Sequence, residues 1–134
     1  MDSKRAISSS LARGAARLVL TLGLGAGATV PASASTEDVL AICLARGIDN
    51  RSICACAGEK LTGVIGAEAV RLYSRVGREF IGDMAKGMDM GLSWDMAIDV
   101  VSRTEGIGRI PLLERMNRAG RDHRIAIRQC RQGS

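Results

Sequence analysis

Four cysteines constrain the fold of this 134-residue chain more than any other feature. All of them, Cys43, Cys54, Cys56 and Cys130, follow residue 34. An even number of cysteines in a short exported chain is typical of a disulfide framework. The chain has one Trp, one Tyr and one Phe, so few large aromatic side chains are available to fill a core. We therefore expect two disulfides to staple a small domain.

The N-terminal segment indicates export. Its basic residues are Lys4, Arg5, Arg13 and Arg17. An uncharged apolar run of 13 residues follows at 18–30, and residues 31–34 end it with the small-residue pattern of a cleavage site. Thirteen residues are too few to span a bilayer, which needs about 20. We predict a cleaved secretory signal at 1–34, a single helical domain at 35–134 without a transmembrane segment, and a periplasmic or secreted location.

The apolar pattern after the signal predicts an all-α fold. Helices are expected over about residues 36–46, 52–66, 67–86, 93–105 and 111–131, with Ser52 and Ser93 as caps of the second and fourth. The third has the clearest apolar face, formed by Ala69, Leu72, Tyr73, Val76, Phe80 and Met84. No segment has a strand pattern. The prediction is a small compact bundle of about five helices, stapled by two disulfides.

The spacing of the cysteines limits how they pair. On a helix, Cys54 and Cys56 point about 200° apart and need different partners. Cys43 lies about one turn before the end of the first helix, and Cys56 about one turn after the start of the second. In an antiparallel pair of helices these two positions lie at similar heights, so we prefer the pairing Cys43–Cys56 with Cys54–Cys130. The alternative, Cys43–Cys54 with Cys56–Cys130, fits nearly as well, and sequence does not decide. Either pairing ties the last helix to the second.

Positive charge is concentrated in the last predicted helix. Residues 35–134 carry 15 basic and 13 acidic side chains, whereas 103–134 carry eight arginines and three acids. Four arginines gather on one side of this helix: Arg121, Arg124, Arg128 and Arg131. Guanidinium groups bind carboxylate or phosphate bidentately, which indicates an envelope protein or an anionic lipid surface as partner. Nucleic acid is disfavoured, because neither interleaved aromatics nor a recognition motif accompany the arginines.

Methionines suggest a second possible site. Met84, Met88, Met90 and Met96 lie within 13 residues around a glycine-rich break. Soft thioethers select Cu(I), so copper is the one cofactor that the sequence suggests. In the simpler interpretation no cofactor binds, Met84 and Met96 fill gaps in the core, and Met88 and Met90 lie in a loop.

The sequence contains no recognisable catalytic set. His123, the only histidine, falls on the apolar side of the last helix, and we expect it to be half-buried and hydrogen-bonded. A Cys–His nucleophile pair needs a free thiol, which we do not expect. The sequence therefore favours a non-enzymatic protein that binds or supports an envelope partner through its arginine-rich helix. The alternatives are a periplasmic Cu(I)-binding protein and, less favoured, a small hydrolase.

Overall fold

Five α-helices make up the described part of the chain. The structure, a computed structural model, describes residues 32–133. The predicted signal peptide lies outside the described residues except for its last three. In chain order the helices are α1 (Ala32–Ala45), α2 (Arg51–Ile65), α3 (Ala67–Ala85), α4 (Met90–Glu105) and α5 (Arg109–Gln132). No strand occurs within residues 32–133. The predicted all-α fold of about five helices is confirmed.

Two helices begin earlier than their predicted caps. Asn50 caps α2, where its side-chain oxygen accepts a hydrogen bond from the Ile53 backbone N–H at 3.1 Å. Asp89 caps α4 and accepts two backbone N–H groups of the first turn, at 2.8 and 3.2 Å. The predicted caps Ser52 and Ser93 were wrong. Near the start of each helix, two residues have side chains that can cap it: Asn50 and Ser52 for α2, and Asp89 and Ser93 for α4. In both cases the earlier residue is the cap, which makes the helix longer.

The central helix of the bundle is α3, which contacts all four other helices. Its predicted apolar face is largely confirmed, although Ala69 and Met84 are only partly buried. The other close packing is between α1 and α2 and between α2 and α5. The main core consists of Val39, Ile42, Leu61, Val70, Leu72, Tyr73, Val76, Phe80, Ala97, Ile98, Val101, Leu112, Met116 and Ala119.

Gly77 permits the close crossing of α1 over α3. It is buried in the middle of α3, and a Cβ atom at this position would overlap the side chain of Ile42 on α1. Ile42 is itself fully buried. Glycine is needed here for lack of space, since the backbone at this position is helical.

Both disulfides lie in a second, smaller core between α1, α2 and α5. Cys43–Cys54 joins α1 to α2 with a Cα–Cα distance of 5.6 Å, and Cys56–Cys130 joins α2 to α5 at 6.1 Å. The preferred pairing was therefore wrong and the alternative is correct. Because α2 begins at Arg51, Cys54 is the residue one turn into α2 and lies at the height of Cys43. Cys56 then points away from α1 towards α5.

The two disulfides indicate an oxidising compartment for this protein. All four cysteines are bonded, and disulfides persist in oxidising compartments. Among the helices described, none combines the length and the hydropathy that a membrane-spanning segment requires.

Candidate functional site

The arginine side of α5 is a strongly basic surface of the described chain. The helix carries seven arginines and two acidic residues. Arg121, Arg124, Arg128 and Arg131 are all exposed, as predicted from their spacing. The opposite side of α5 is buried, and Cys130 anchors its last turn to α2. These four side chains, which we call the arginine face, therefore project from a helix held firmly in place.

The arginine face differs from the other arginine-rich surface in having no internal counter-charge. On α3, two guanidinium groups converge on one carboxylate: Arg71 donates to both oxygens of Glu105 at 3.2 and 3.1 Å, and Arg75 also donates to it. These hydrogen bonds, those of Arg71 above all, lower the pKa of Glu105. By contrast, no residue of the arginine face forms an ion pair with a carboxylate of residues 32–133. Its charge is available to a partner.

A cavity of about 580 Å³ adjoins the arginine face. It opens between the end of α1, the middle of α3, the start of α4 and the middle of α5. Of the arginine face, Arg121 and Arg124 line it. The full lining consists of Arg46, Phe80, Met90, Gly91, Trp94, Met116, Asn117, Gly120, Arg121 and Arg124. An apolar wall and three cationic side chains thus share one concave site.

Aromatic side chains form the inner side of this cavity. Trp94 packs edge-on against Phe80, with ring centroids 5.7 Å apart, and against Tyr73 at 6.3 Å. The indole N–H of Trp94 donates to the Asn117 side chain at 3.1 Å, which fixes the ring. Tyr73 in turn packs edge-on against His123 at 5.7 Å. The only Trp, Tyr, Phe and His of the chain therefore form one continuous cluster.

His123 lies at the base of this cluster. Its Nδ1 shares a hydrogen bond with the Tyr73 hydroxyl at 3.1 Å, so the predicted hydrogen bond is confirmed. The ring is fully buried, not half-buried as expected from the sequence. Burial, assisted by the positive charge of Arg46, lowers the pKa of His123 to about 4. Burial raises the pKa of Tyr73, while Arg46 and Arg124 act in the opposite direction. Both rings are neutral at pH 7.

The buried imidazole makes stability depend on pH. Its pKa falls from 6.5 in the unfolded chain to about 4 in the folded protein, so between these values only the unfolded chain binds the proton. We expect the free energy of unfolding to drop by on the order of 3 kcal/mol as the pH falls from 6.5 to 4. Urea unfolding at a series of pH values measures this loss. His123→Asn removes the titrating group, so its slope over this range should be much shallower. Equal slopes would contradict the assignment.

The predicted methionine site is divided among three parts of the fold. Met84 is half-buried against the core, and Met88 lies in the turn after α3. Met90 and Met96 lie on α4 with 52% and 40% of their surfaces exposed, so Met96 does not fill a core gap. Of these four methionines, only Met90 lines the cavity. Within residues 32–133, no group of three or more His, Cys, Asp or Glu side chains is placed to hold a metal. Copper binding through the methionines stays a prediction.

Sequence reasoning missed the part of the site that lies outside α5. Arg46 follows α1, and Phe80 and Trp94 lie on α3 and α4, so only the tertiary fold brings them to Arg124. The one available signal was Gly120, the only glycine inside α5, because helix interiors disfavour glycine. No protein-family model, curated protein or solved structure matches this chain.

Proposed function

We propose that this is a non-enzymatic protein of the periplasm or the extracellular space that binds an acidic envelope protein through its arginine face. The observation that supports this most directly is the lack of ion pairs at Arg121, Arg124, Arg128 and Arg131 within the described residues. Four exposed guanidinium groups on one helix concentrate positive charge, which an anionic surface would neutralise. Carboxylates of a partner protein would accept bidentate hydrogen bonds from them.

The packing of α5 favours a protein over a lipid surface as this partner. Helices that lie on membranes insert an apolar face below the headgroups. The apolar side of α5 is already occupied by the core and by the Cys56–Cys130 bridge. Ile125, 42% exposed, is the one large apolar residue exposed among these arginines. A single apolar contact surrounded by arginines suits a protein interface, where arginine is enriched.

Two features support a role without catalysis. All four cysteines are consumed in disulfides, so none of them offers a thiol nucleophile. His123 is enclosed and neutral, with one nitrogen engaged by Tyr73. An imidazole enclosed in this way is poorly placed to exchange a proton with a substrate.

Replacing Arg121, Arg124 and Arg128 with Gln tests the proposal. We expect at least a tenfold loss of crosslinked partner in capture experiments on intact envelopes, with the partner identified by mass spectrometry. The loss follows because close charge pairs across an interface supply much of its affinity and specificity. The remaining binding should weaken less with salt than wild-type binding does, since exposed charges are screened over about 8 Å at physiological ionic strength and only Arg131 of the arginine face remains.

A matched variant separates location from net charge. Arg103, Arg115 and Arg118 are also exposed, and their triple change to Gln removes the same charge elsewhere. It should keep the partner. Both triples should fold, because surface changes usually alter stability by less than about 0.5 kcal/mol each. The proposal fails if the first triple keeps full binding at low and high salt, if it unfolds, or if only anionic vesicles bind.

A further inference from the structure

The cavity beside the arginine face combines two chemistries. Phe80, Trp94 and Met116 supply an apolar wall, of which Phe80 and Met116 are almost fully buried. Asn117 also lines the cavity, and its side-chain oxygen accepts the hydrogen bond from the Trp94 indole. A volume of about 580 Å³ falls within the range of about 300–1,000 Å³ typical of small-molecule sites. The wall therefore suits one apolar group of limited size.

Two guanidinium groups of the cavity lining converge beside Gly120. A Cβ atom placed on Gly120 would lie 3.6 Å from a terminal nitrogen of Arg46 and 3.9 Å from one of Arg124. Neither side chain forms an ion pair with a carboxylate among residues 32–133. Like charges brought to one point, with no counter-charge between them, favour an anion there. Arg121 lines the same cavity and adds a third cationic side chain.

The surroundings strengthen the attraction. The Tyr73 hydroxyl would lie 4.0 Å from the same Cβ position, and it is buried together with His123. Charges next to such a poorly hydrated base interact more strongly than they do in water. Gly120 has no side chain, so no side chain at position 120 separates the two guanidinium groups.

We propose that this cavity binds a free, single-chain amphiphilic carboxylate. The carboxylate lies between Arg46, Arg121 and Arg124, and the chain lies against Phe80, Trp94 and Met116. The carboxylate site adds a ligand class to the proposed function. It rests on that proposed function only through Arg121 and Arg124, which belong to both the cavity and the arginine face. Arg46 belongs to the cavity alone, and Arg128 and Arg131 belong to the arginine face alone. The two proposals are therefore separable by mutation.

Trp94 provides the measurement, because it is the only tryptophan of the chain and lies in the cavity wall. Titration with octanoate should give a saturable change in its fluorescence, and calorimetry should give the same Kd. 1-Octanol, which has the chain without the charge, should bind at least tenfold more weakly. Acetate and inorganic phosphate, which have charge without the chain, should not saturate. Vesicles containing phosphatidylglycerol test a bilayer headgroup as the source of the anion.

Three variants locate the binding. Arg46→Gln should weaken octanoate at least tenfold and leave 1-octanol unchanged. Gly120→Leu keeps every charge but fills the space between the guanidinium groups, and it should weaken octanoate to a similar degree. The double change of Arg128 and Arg131 to Gln is the control and should bind octanoate like the wild type. Near-ultraviolet circular dichroism verifies that each variant keeps its packed aromatic cluster.

The inference is overturned if octanoate shows no saturable binding, if it binds no better than 1-octanol, or if only vesicles bind. It is also overturned if Arg46→Gln and Gly120→Leu, both folded, bind octanoate like the wild type. Normal octanoate binding together with full partner capture by the Arg128 and Arg131 double variant would instead count against the proposed function alone. Each failure is thus recognisable by itself.

Discussion

Replacing Cys56 and Cys130 with alanine is expected to lower the free energy of unfolding by about 4 kcal/mol. This bridge joins residues 74 apart in sequence, whereas Cys43–Cys54 joins residues only 11 apart. In the chain-entropy model the shorter loop contributes about 3 kcal/mol. The longer bridge also fixes the last turn of α5 beside the arginine face. A domain of this size has a total stability of only about 5–15 kcal/mol, so the loss is a large fraction of it.

Urea unfolding of the disulfide-bonded protein measures this difference. The two double alanine variants should be compared at one pH with the same far-ultraviolet probe. The variant without Cys56–Cys130 should have the lower midpoint. It should also lose hydrogen-exchange protection first in α5. A larger loss on removing Cys43–Cys54 would show that strain or residual unfolded structure, and not loop length, determines the contribution of each bridge.

The second large effect concerns the crossing of α1 and α3, where the effect of Gly77→Ala on stability should change sign when Ile42 is shortened. Ile42→Ala should cost about 2–5 kcal/mol, because it opens a cavity in the core. In the wild type, the new methyl group of Gly77→Ala overlaps Ile42, which should lower the free energy of unfolding by about 1–3 kcal/mol. The better helix propensity of alanine offsets about 1 kcal/mol of this loss. In the Ile42→Ala background the same methyl group enters empty space. There, Gly77→Ala should be stabilising.

Gly82→Ala is the matched control for this cycle. It lies on the same helix, and a Cβ atom there would meet nothing within 4 Å. It should stabilise both backgrounds by up to about 1 kcal/mol through helix propensity. Thermal or urea unfolding of the wild type and the five variants completes the test. If Gly77→Ala has the same sign with and without Ile42, the close crossing of α1 and α3 is not as described.

Much of the fold was predictable because its signals are local. The apolar face of α3 repeats with helical spacing, so Leu72, Tyr73, Val76 and Phe80 were correctly assigned to the core. The arginine face follows from the same rule applied to α5. The predicted disulfide pairing was wrong because the start of α2 was placed too late. Since α2 begins before Ser52, Cys54 occupies the position that we had expected for Cys56. An error of one or two residues at a cap is enough to exchange partners.

The cavity was not predictable, because its residues share no local pattern. Arg46 stands just beyond a helix end, and its approach to Arg124 depends on how α1 and α5 are placed around α3. Gly120 and the aromatic cluster matter only after that packing is known. His123 shows the same limit, since its helical position predicted an inward direction but not the complete burial that keeps it neutral. Properties that depend on several helices at once require the tertiary structure.

The order of the cysteines along the chain has a consequence for how the protein matures. Both native bonds join consecutive cysteines, Cys43 to Cys54 and Cys56 to Cys130. A chain that enters an oxidising compartment N-terminus first presents Cys54 as the earliest partner for Cys43. Cys56 is then left alone until Cys130 follows. Oxidation in order of arrival therefore leads to the native pairs without an earlier bond having to be broken.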